Sequence, residues 1–314
     1  MIEEGMRLKA APPGRKSRLR RFLTSERWLA WLLVLPSLAV VFSLILGPIL
    51  RAFWLSLHFY NLKRPDLGLQ WIGLENYIEL LADRYFWASI GRTFYFMVIS
   101  IALELVFGIA TAMLLNREFR GRALVRTMIL IPWALPITID AIMWLWILNP
   151  SYGALNSLLY QLGVIDEYRR WLSTPVSAMN MVILADVWKV TPLVILLSLA
   201  ALQTIPRELY EAAMIDGAGK INSFLRITLP LLMPTIAVTL VIRTMDAFKV
   251  FDIIYIMTSG GPSDGTKVIA YLTYQEAFTY LNFGRGSALA YLMTLFIALM
   301  AFAYIKVLHR EIEY

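Results

Sequence analysis

Glu211-Ala212-Ala213-Met214-Ile215-Asp216-Gly217 is a polar, small-residue stretch between two long apolar runs, and Ile227-Thr228-Leu229-Pro230 follows it after nine residues. Proline near a first helical turn and an acidic residue in that turn are start signals, so a short helix is expected over Pro206–Asp216. Gly217 and Gly219 predict its end, because glycine accepts the left-handed conformation there. A second short helix is expected from Lys220 into Ile227.

The composition around this segment is that of a membrane protein. Hydrophobic residues make up 59% and charged residues 16% of the 314 residues, against about 45–50% and 25% in soluble domains. The mean hydropathy is +0.64, and one soluble core could not bury this much apolar surface. The absence of cysteine excludes disulfides and thiolate metal sites. The predicted fold class is therefore an all-α, polytopic membrane protein.

Six segments are long enough to cross a hydrocarbon core, which takes about 20 residues. The run that starts at Trp28 is too long for a cleaved signal and predicts a retained first span. The expected organisation is a basic tail over 1–27, a membrane domain over 28–308 with a loop at about 204–228, and a C-terminal end over 309–314. The six predicted spans are Trp28–Leu57, Thr93–Leu115, Met128–Leu148, Ser177–Leu202, Leu229–Met257 and Ser287–Leu308.

Basic residues are concentrated on one side of these spans. The tail, the loop between spans two and three, the 204–228 loop and the C-terminal end hold 17 Lys and Arg, and the opposite loops hold 8. Positive charge marks the cytoplasmic side, so both termini and the 204–228 loop are predicted to be cytoplasmic. The net charge of +7 would indicate nucleic acid only if it formed a patch. The basic residues lie at the ends of the spans instead, which excludes a nucleic-acid partner.

Charged residues inside the predicted spans are candidates for function, because each costs at least about 2.5–3.5 kcal/mol near the bilayer centre. An i, i+3 spacing predicts contacts within Arg243–Asp246, Lys249–Asp252 and Asp186–Lys189, whereas Asp140 stands alone and Glu104 is expected to be structural. One interpretation is a polar lining that binds a hydroxyl-rich solute. The other is an ion-pair network that locks helices or a partner subunit. His58 and His309 are expected near membrane surfaces, either solvated or interfacial.

The 211–230 segment resembles the EAA loop of permease subunits of binding-protein-dependent ABC importers, and every fixed position of E-A-A-x3-G-x9-I-x-L-P is filled. The resemblance implies an ABC importer type I permease fold in a bacterial or archaeal cytoplasmic membrane. It also implies a second, similar permease, two ATP-binding subunits and an external solute-binding lipoprotein as partners. The residues implied to couple the chain to the ATPase are Glu211, Ala212, Ala213, Asp216, Gly217 and Gly219.

This chain is not expected to be catalytic or to hold a cofactor. Gly217-Ala218-Gly219-Lys220 only faintly resembles a phosphate loop, because Met214 stands where the first glycine is needed and Ile221 follows the lysine. ATP and Mg²⁺ are therefore expected on the partner ATPase subunits.

Gly73-Leu74-Glu75-Asn76-Tyr77, Trp188-Lys189 with Pro192, and Phe251-Asp252 through Gly260-Gly261-Pro262 are similar to maltose-type permeases of sugar importers. The resemblance implies uptake of a sugar, and the departures from the maltose pattern look more like trehalose-type permeases. Glycerol 3-phosphate or another polyol is an alternative substrate, since Arg243 would suit a phosphate. An ion-gradient-driven secondary transporter is the alternative of another class. The positions implied to hold the sugar are Lys189, Val190, Leu193, Arg243, Asp246, Ala247 and Val250.

Overall fold

The structure is a computed structural model that describes residues 26–308. Most of the basic tail, the C-terminal end 309–314 and His309 lie outside the described residues. By length and composition, five helices could cross a membrane, and a bent helix pair makes a sixth candidate. With the bent pair counted as one span, the expected all-helical architecture of six spans is confirmed. The five long spans are Ala30–Ser56, Arg84–Asn116, Pro175–Leu202, Lys220–Phe248 and Phe283–Tyr304.

Within the described residues, the stretch 26–54 belongs to a compact unit of its own. It contains α1 (Glu26–Val41), a π turn over Phe42–Leu46 and the beginning of α2 (Gly47–Ser56). Pro48 has no backbone N–H to donate four residues back, and the wider π turn lies where that bond would fall. The proline therefore interrupts the hydrogen-bond ladder without ending the predicted first span.

The second unit begins at Leu55 and contains the other four long helices. Two short strands, β1 (His58–Phe59) and β2 (Gln70–Trp71), pair antiparallel near its start. The remaining helices are α3 (Glu75–Ala82), α4 (Arg84–Asn116), α5 (Arg122–Ile129), α6 (Ile131–Ala134), α7 (Ile137–Ile147), α8 (Ala154–Gln161), α9 (Pro175–Leu202), α10 (Arg207–Ile215), α11 (Lys220–Ser223), α12 (Leu229–Phe248), α13 (Asp252–Met257), α14 (Ile269–Tyr274) and α15 (Phe283–Leu308). A 3₁₀ turn at Pro65–Leu67 and π turns at Phe224–Thr228 and Gln275–Thr279 complete the list.

Helices α4 and α9 pack closely against each other. A Cβ added to Gly108 of α4 would lie 2.6 Å from Cγ1 of Val194 on α9, so glycine is what permits this approach. Both helices begin with a defined cap: Asp83 accepts a hydrogen bond from Tyr85 N, and Thr174 accepts one from Ser177 N. The pair forms the centre against which α12 packs.

The third predicted span is not one straight helix. The stretch Arg122–Ala134 and α7 meet at an angle of 97° across Leu135 and Pro136. Leu135 is extended, with φ −70° and ψ 139°, as a residue before proline prefers. Helix α7 has 11 residues, which is about 16 Å or half of a hydrocarbon core. The expectation of a plain span over Met128–Leu148 is therefore wrong in shape.

The fifth predicted span is displaced toward the polar loop. It runs from Lys220 through the π turn at Phe224–Thr228 to Phe248, so the expected separate helix from Lys220 into Ile227 merges with it. The helix ends at Phe248 and a new one starts at Asp252, which corrects the expected end at Met257. Pro230 again follows a π turn by the spacing seen at Pro48.

The loops opposite the α10 side are ordered by buried polar side chains. The Asn76 amide donates to Ser56 O at 2.8 Å and to His58 O at 3.0 Å. The Arg285 guanidinium donates to Asp83 at 2.6 Å, and burial raises the pKa of the neighbouring Glu276 carboxyl while Arg285 opposes that rise. His58 is only 6% exposed, so of its two expected environments, solvated or interfacial, the solvated one is wrong.

Candidate functional site

The polar segment folds as the short helix that its sequence predicts. Helix α10 covers Arg207–Ile215 with Pro206 at its N-cap. At its end, Ala218 N donates to Ala213 O at 2.8 Å and Gly217 N to Met214 O at 3.1 Å, which is the Schellman arrangement. Gly217 has φ +79°, so the expected left-handed stop is confirmed there. Gly219 has φ −72° and caps the next helix instead.

Helix α10 is presented to its surroundings. Ile215 is 87% and Met214 66% exposed, and Glu211, Ala212, Asp216 and Gly217 are exposed as well, with Ala213 intermediate. Two contacts hold the helix in place. Tyr210 Oη lies 2.9 Å from Thr228 Oγ1, and Arg207 forms a 2.9 Å ion pair with Glu118. The predicted coupling residues therefore lie on this accessible, anchored helix or directly at its end, except Gly219, which begins the next helix.

A buried ion cluster joins three of the long helices. Arg243 on α12 donates from Nε and Nη2 to Glu104 on α4 at 2.6 and 2.7 Å, and from Nη2 to Asp186 on α9 at 3.1 Å. The three residues are 5%, 0% and 6% exposed. The expected Arg243–Asp246 pair is wrong, because the guanidinium turns toward two carboxylates on other helices. Glu104 thus links α4 to α12 through Arg243, and its expected structural role stays a prediction.

The other charged residues on these helices also pair with groups other than those that the i, i+3 spacing predicts. Lys249 Nζ lies 3.6 Å from Asp246 Oδ1, so Lys249 pairs with Asp246 and not with Asp252. Lys189 Nζ donates to Leu135 O, a carbonyl at the break in the third span, instead of pairing with Asp186. Lys189 therefore satisfies a backbone group that the bend before Pro136 removes from the helical ladder.

The residues implied to hold a sugar differ in accessibility. The Asp246 side chain is 54% exposed, and Lys189, Val190 and Leu193 are intermediate. Arg243, Ala247 and Val250 are buried within the chain at 5%, 2% and 8% exposure. Asp140 is fully buried in the first turn of α7, one turn from Trp144. Among the described residues, no group of three or more His, Asp or Glu side chains could hold a metal ion.

Sequence reasoning missed that Glu104 is the partner of Arg243. The two are 139 positions apart, beyond any helical spacing. The available signal was that a buried arginine needs a counter-charge and that Glu104 is the only charged residue of the second predicted span.

The helices and the presented α10 define a polytopic permease, and the family comparison agrees. The model of the family described as "Binding-protein-dependent transport system inner membrane component" matches residues 104–313. The chain belongs to this family and is a permease subunit of a binding-protein-dependent ABC importer.

Several relatives align over most of the chain. The trehalose/maltose transport system permease protein of Thermococcus litoralis is 44% identical over 90% of this chain and 94% of its own length. The trehalose transport system permease protein of Mycobacterium tuberculosis is 36% identical over 90% and 89%. The sn-glycerol-3-phosphate transport system permease protein of Yersinia pestis is 32% identical over 91% and 96%. These relatives extend the match to nearly the whole chain.

One solved structure supports the fold. A chain of a bacterial ABC transporter involved in the import of the acidic polysaccharide alginate superposes with a TM-score of 0.78 at 24% identity, covering 95% of this chain and 100% of that one. The expected type I importer permease fold is confirmed.

Proposed function

We propose that this permease takes up a neutral disaccharide such as trehalose or maltose, delivered by an external solute-binding protein. The observation that carries the proposal is the 44% identity to a trehalose/maltose permease across 90% of the chain. The trehalose permease relative points to the same class of solute. A glycerol phosphate permease is also related, at 32% identity, so the choice between neutral and phosphorylated solutes needs a physical argument.

The buried ion cluster favours a neutral solute. Its single guanidinium is bonded to two carboxyl groups at low exposure. Arg243, the cation that would suit a phosphate, is therefore already bound by Glu104 and Asp186. The cluster offers a phosphate no free cation, whereas the exposed Asp246 carboxylate offers a sugar hydroxyl a hydrogen-bond acceptor.

Within this proposal, the accessible residues contact the solute and the buried ones support them. Asp246, Lys189, Val190 and Leu193 are placed to touch a sugar, with Asp246 the most exposed. Arg243, Ala247 and Val250 lie behind this surface in the described chain. Arg243 then serves to hold α12 against α4 and α9, so that Asp246 keeps its position.

The exposed α10 is proposed to dock into a groove of an ATP-binding subunit. Its two adjacent alanines make a low profile that a groove can accept, and Met214 and Ile215 supply exposed apolar surface. Glu211, Ala212, Ala213, Asp216 and Gly217 form or end this helix, and Gly219 caps the short helix that follows it. The partner subunits bind ATP and Mg²⁺.

The remaining partners complete the proposed cycle. A second permease pairs with this chain in the membrane, both termini and α10 face the cytoplasm, and two ATPases close on ATP. Closure moves α10 and switches the solute path from inward-facing to outward-facing.

Reconstituted uptake tests the overall proposal. Vesicles containing the assembled transporter and its binding protein should accumulate labelled trehalose or maltose only with ATP inside, and glycerol 3-phosphate should not compete. Uptake that persists without ATP and follows a proton gradient would indicate the secondary-transporter alternative. Competition by glycerol 3-phosphate would indicate the polyol phosphate alternative.

The proposed solute contact has its own test. Asp246→Ala should reduce sugar uptake while leaving complex assembly intact, because the exposed carboxylate is not part of the buried cluster. Asp252→Ala is the matched control, since Asp252 is also an exposed acid. Equal uptake by both variants would show that Asp246 does not contact the solute.

Coupling is tested on α10 itself. Glu211→Lys should abolish sugar-stimulated ATPase activity or assembly, whereas Glu208→Lys on the same exposed helix should have a smaller effect. Unchanged transport with Glu211→Lys would contradict the docking role.

A further inference from the structure

An apolar cavity lies between the bent third span and the α4–α9 pair. Its volume is about 670 Å³. Side chains from all of these elements line it, among them Phe107, Met128, Pro132, Leu184, Trp188 and Thr191. Several are also exposed, including Phe107 at 53% and Met128 at 55%. The cavity therefore opens on the outside of the described chain and is not sealed within its core.

A second, smaller cavity of about 220 Å³ continues the first toward the α10 side of the molecule. The two share Ile129 and Ile195 in their walls. The smaller one ends at two polar side chains, Arg126 and Gln203, near the last residues of α4 and α9. The combined space has a long apolar part and one cationic end.

The arginine at this end is incompletely bonded. Arg126 Nη2 donates to Leu115 O at 3.0 Å, but its buried Nε has no hydrogen-bond partner. A buried donor without an acceptor is costly. The guanidinium thus caps the end of α4 with one nitrogen, and it places a cation in the wall of the smaller cavity, where it can attract an anionic group.

The surroundings add positive charge at the same end. Arg117, Arg120 and Arg122 lie within nine residues of Arg126, and only Glu118, which is paired with Arg207, offsets them. Phe119 and Leu124 are exposed at 44% and 60%. Arginine beside exposed apolar side chains at a span end is the pattern that attracts anionic headgroups.

We propose that this pair of cavities binds one anionic phospholipid from the leaflet on the α10 side. The acyl chain lies along Phe107, Trp188 and Ile195, and the headgroup phosphate accepts hydrogen bonds from Arg126. Charge complementarity selects this occupant over a lipid without net charge, because the polar end carries the Arg126 cation and lies near three further arginines. The site is distinct from the residues proposed to contact the sugar, and it does not depend on which sugar is carried.

Native mass spectrometry of the assembled transporter tests the site. The transporter is equilibrated with an equimolar mixture of phosphatidylglycerol and phosphatidylcholine, and the retained lipids are counted. The wild type should retain phosphatidylglycerol in preference. Arg126→Gln should weaken that retention about tenfold, because a hydrogen bond to a charged group contributes on the order of 1.4 kcal/mol or more. Arg122→Gln, one helical turn earlier, should change it little.

A third variant separates the acyl chain from the charge. Ile195 lines both cavities, so Ile195→Trp fills part of their space without altering any charge, and it should also reduce phosphatidylglycerol retention. Arg126→Lys keeps the charge and should retain most of the preference, which covers the case in which Arg126→Gln does not assemble. Three outcomes would overturn the proposal: equal retention of both lipids by the wild type, equal losses in Arg122→Gln and Arg126→Gln, or unchanged retention in Ile195→Trp. The first is expected if a segment of a partner protein fills the cavity.

Discussion

The α10 helix and the buried ion cluster are both rich in functional side chains, yet they solve opposite physical problems. Helix α10 keeps Glu211 and Asp216 exposed, so its charges stay hydrated and add little to stability. The cluster removes Glu104, Asp186 and Arg243 from water almost completely, so its charges must satisfy one another. A helix that docks on a partner has to be accessible, whereas a contact that holds spans together has to be closed.

This contrast predicts whether a substitution lowers the stability of the fold or weakens the contact with a partner subunit. Within the cluster, the loss of one partner leaves an uncompensated buried charge, which acts on stability first. On α10, the loss of one side chain leaves the fold intact and acts on the partner first. Four substitutions test this division, and their expected effects on stability decrease from Arg243→Met to Arg207→Ala.

Arg243→Met should cause the largest destabilisation, about 3–5 kcal/mol, because it leaves two buried carboxylates without their cation. The unfolding transition of the purified transporter in a detergent titration measures it. Arg243→Met combined with Glu104→Gln and Asp186→Asn should recover much of the loss, since no charge then remains to be neutralised. A single Arg243→Met variant as stable as the wild type would show that the cluster does not hold the spans.

Gly108→Ala should cost about 1–3 kcal/mol, because the added Cβ would lie 2.6 Å from Val194 Cγ1 and forces α4 and α9 apart. Adding Val194→Gly removes both obstructing atoms, Cγ1 at 2.6 Å and Cβ at 2.8 Å, and should make the double variant less destabilised than the sum of the single variants. The same detergent titration measures the three proteins. Strict additivity would mean that the two helices do not meet at this point.

Gly217→Ala should cost about 1–2 kcal/mol locally, because alanine is disfavoured at φ +79°. Gly219→Ala is the matched control, since Gly219 has φ −72° and neither glycine has an atom within 4 Å of an added Cβ. Hydrogen exchange of the Ala218 amide should speed up only in Gly217→Ala, together with a loss of sugar-stimulated ATPase activity. Equal exchange in both variants would contradict the Schellman end.

Arg207→Ala should have the smallest effect, below about 1 kcal/mol, because the Arg207–Glu118 pair is solvated. Their side chains are 83% and 77% exposed. What effect there is should vanish at high salt, where exposed pairs are screened. A loss that persists in high salt would show that Arg207 packs against its neighbours as well as pairing with Glu118.

Sequence was a good guide to local structure. The short helix at 206–216 was predicted to within one residue at each end, because proline, an acidic first turn and glycine act on the backbone directly. The same holds for the long apolar spans, where length and composition decide the class of protein. The family resemblance of the 211–230 segment then indicated the function, which the hydrophobic periodicity of the sequence does not reveal.

Sequence was a poor guide to which prolines bend a span and which acids meet a base. Pro192 and Pro234 lie inside continuous helices, whereas Pro136 lies at a break, as the N-cap of α7. At that break Lys189 donates to Leu135 O, so a side chain from another helix satisfies the freed carbonyl. Likewise, Asp246 is only three residues from Arg243, but the arginine pairs with Glu104 and Asp186 on other helices. Only the packing of the helices brings these two carboxyl groups close to the guanidinium.

The uninterrupted run from Lys220 to Phe248 gives the molecule a lever. Thr228 is tied to α10 through Tyr210, and Arg243 lies 15 residues further along the same rod, about 22 Å away at 1.5 Å per residue. A tilt of about 10° around that tie would carry the guanidinium about 4 Å sideways, from the same helical rise. A displacement of that size exceeds the length of a hydrogen bond, so a modest push at one membrane surface is geometrically sufficient to disengage ions near the middle.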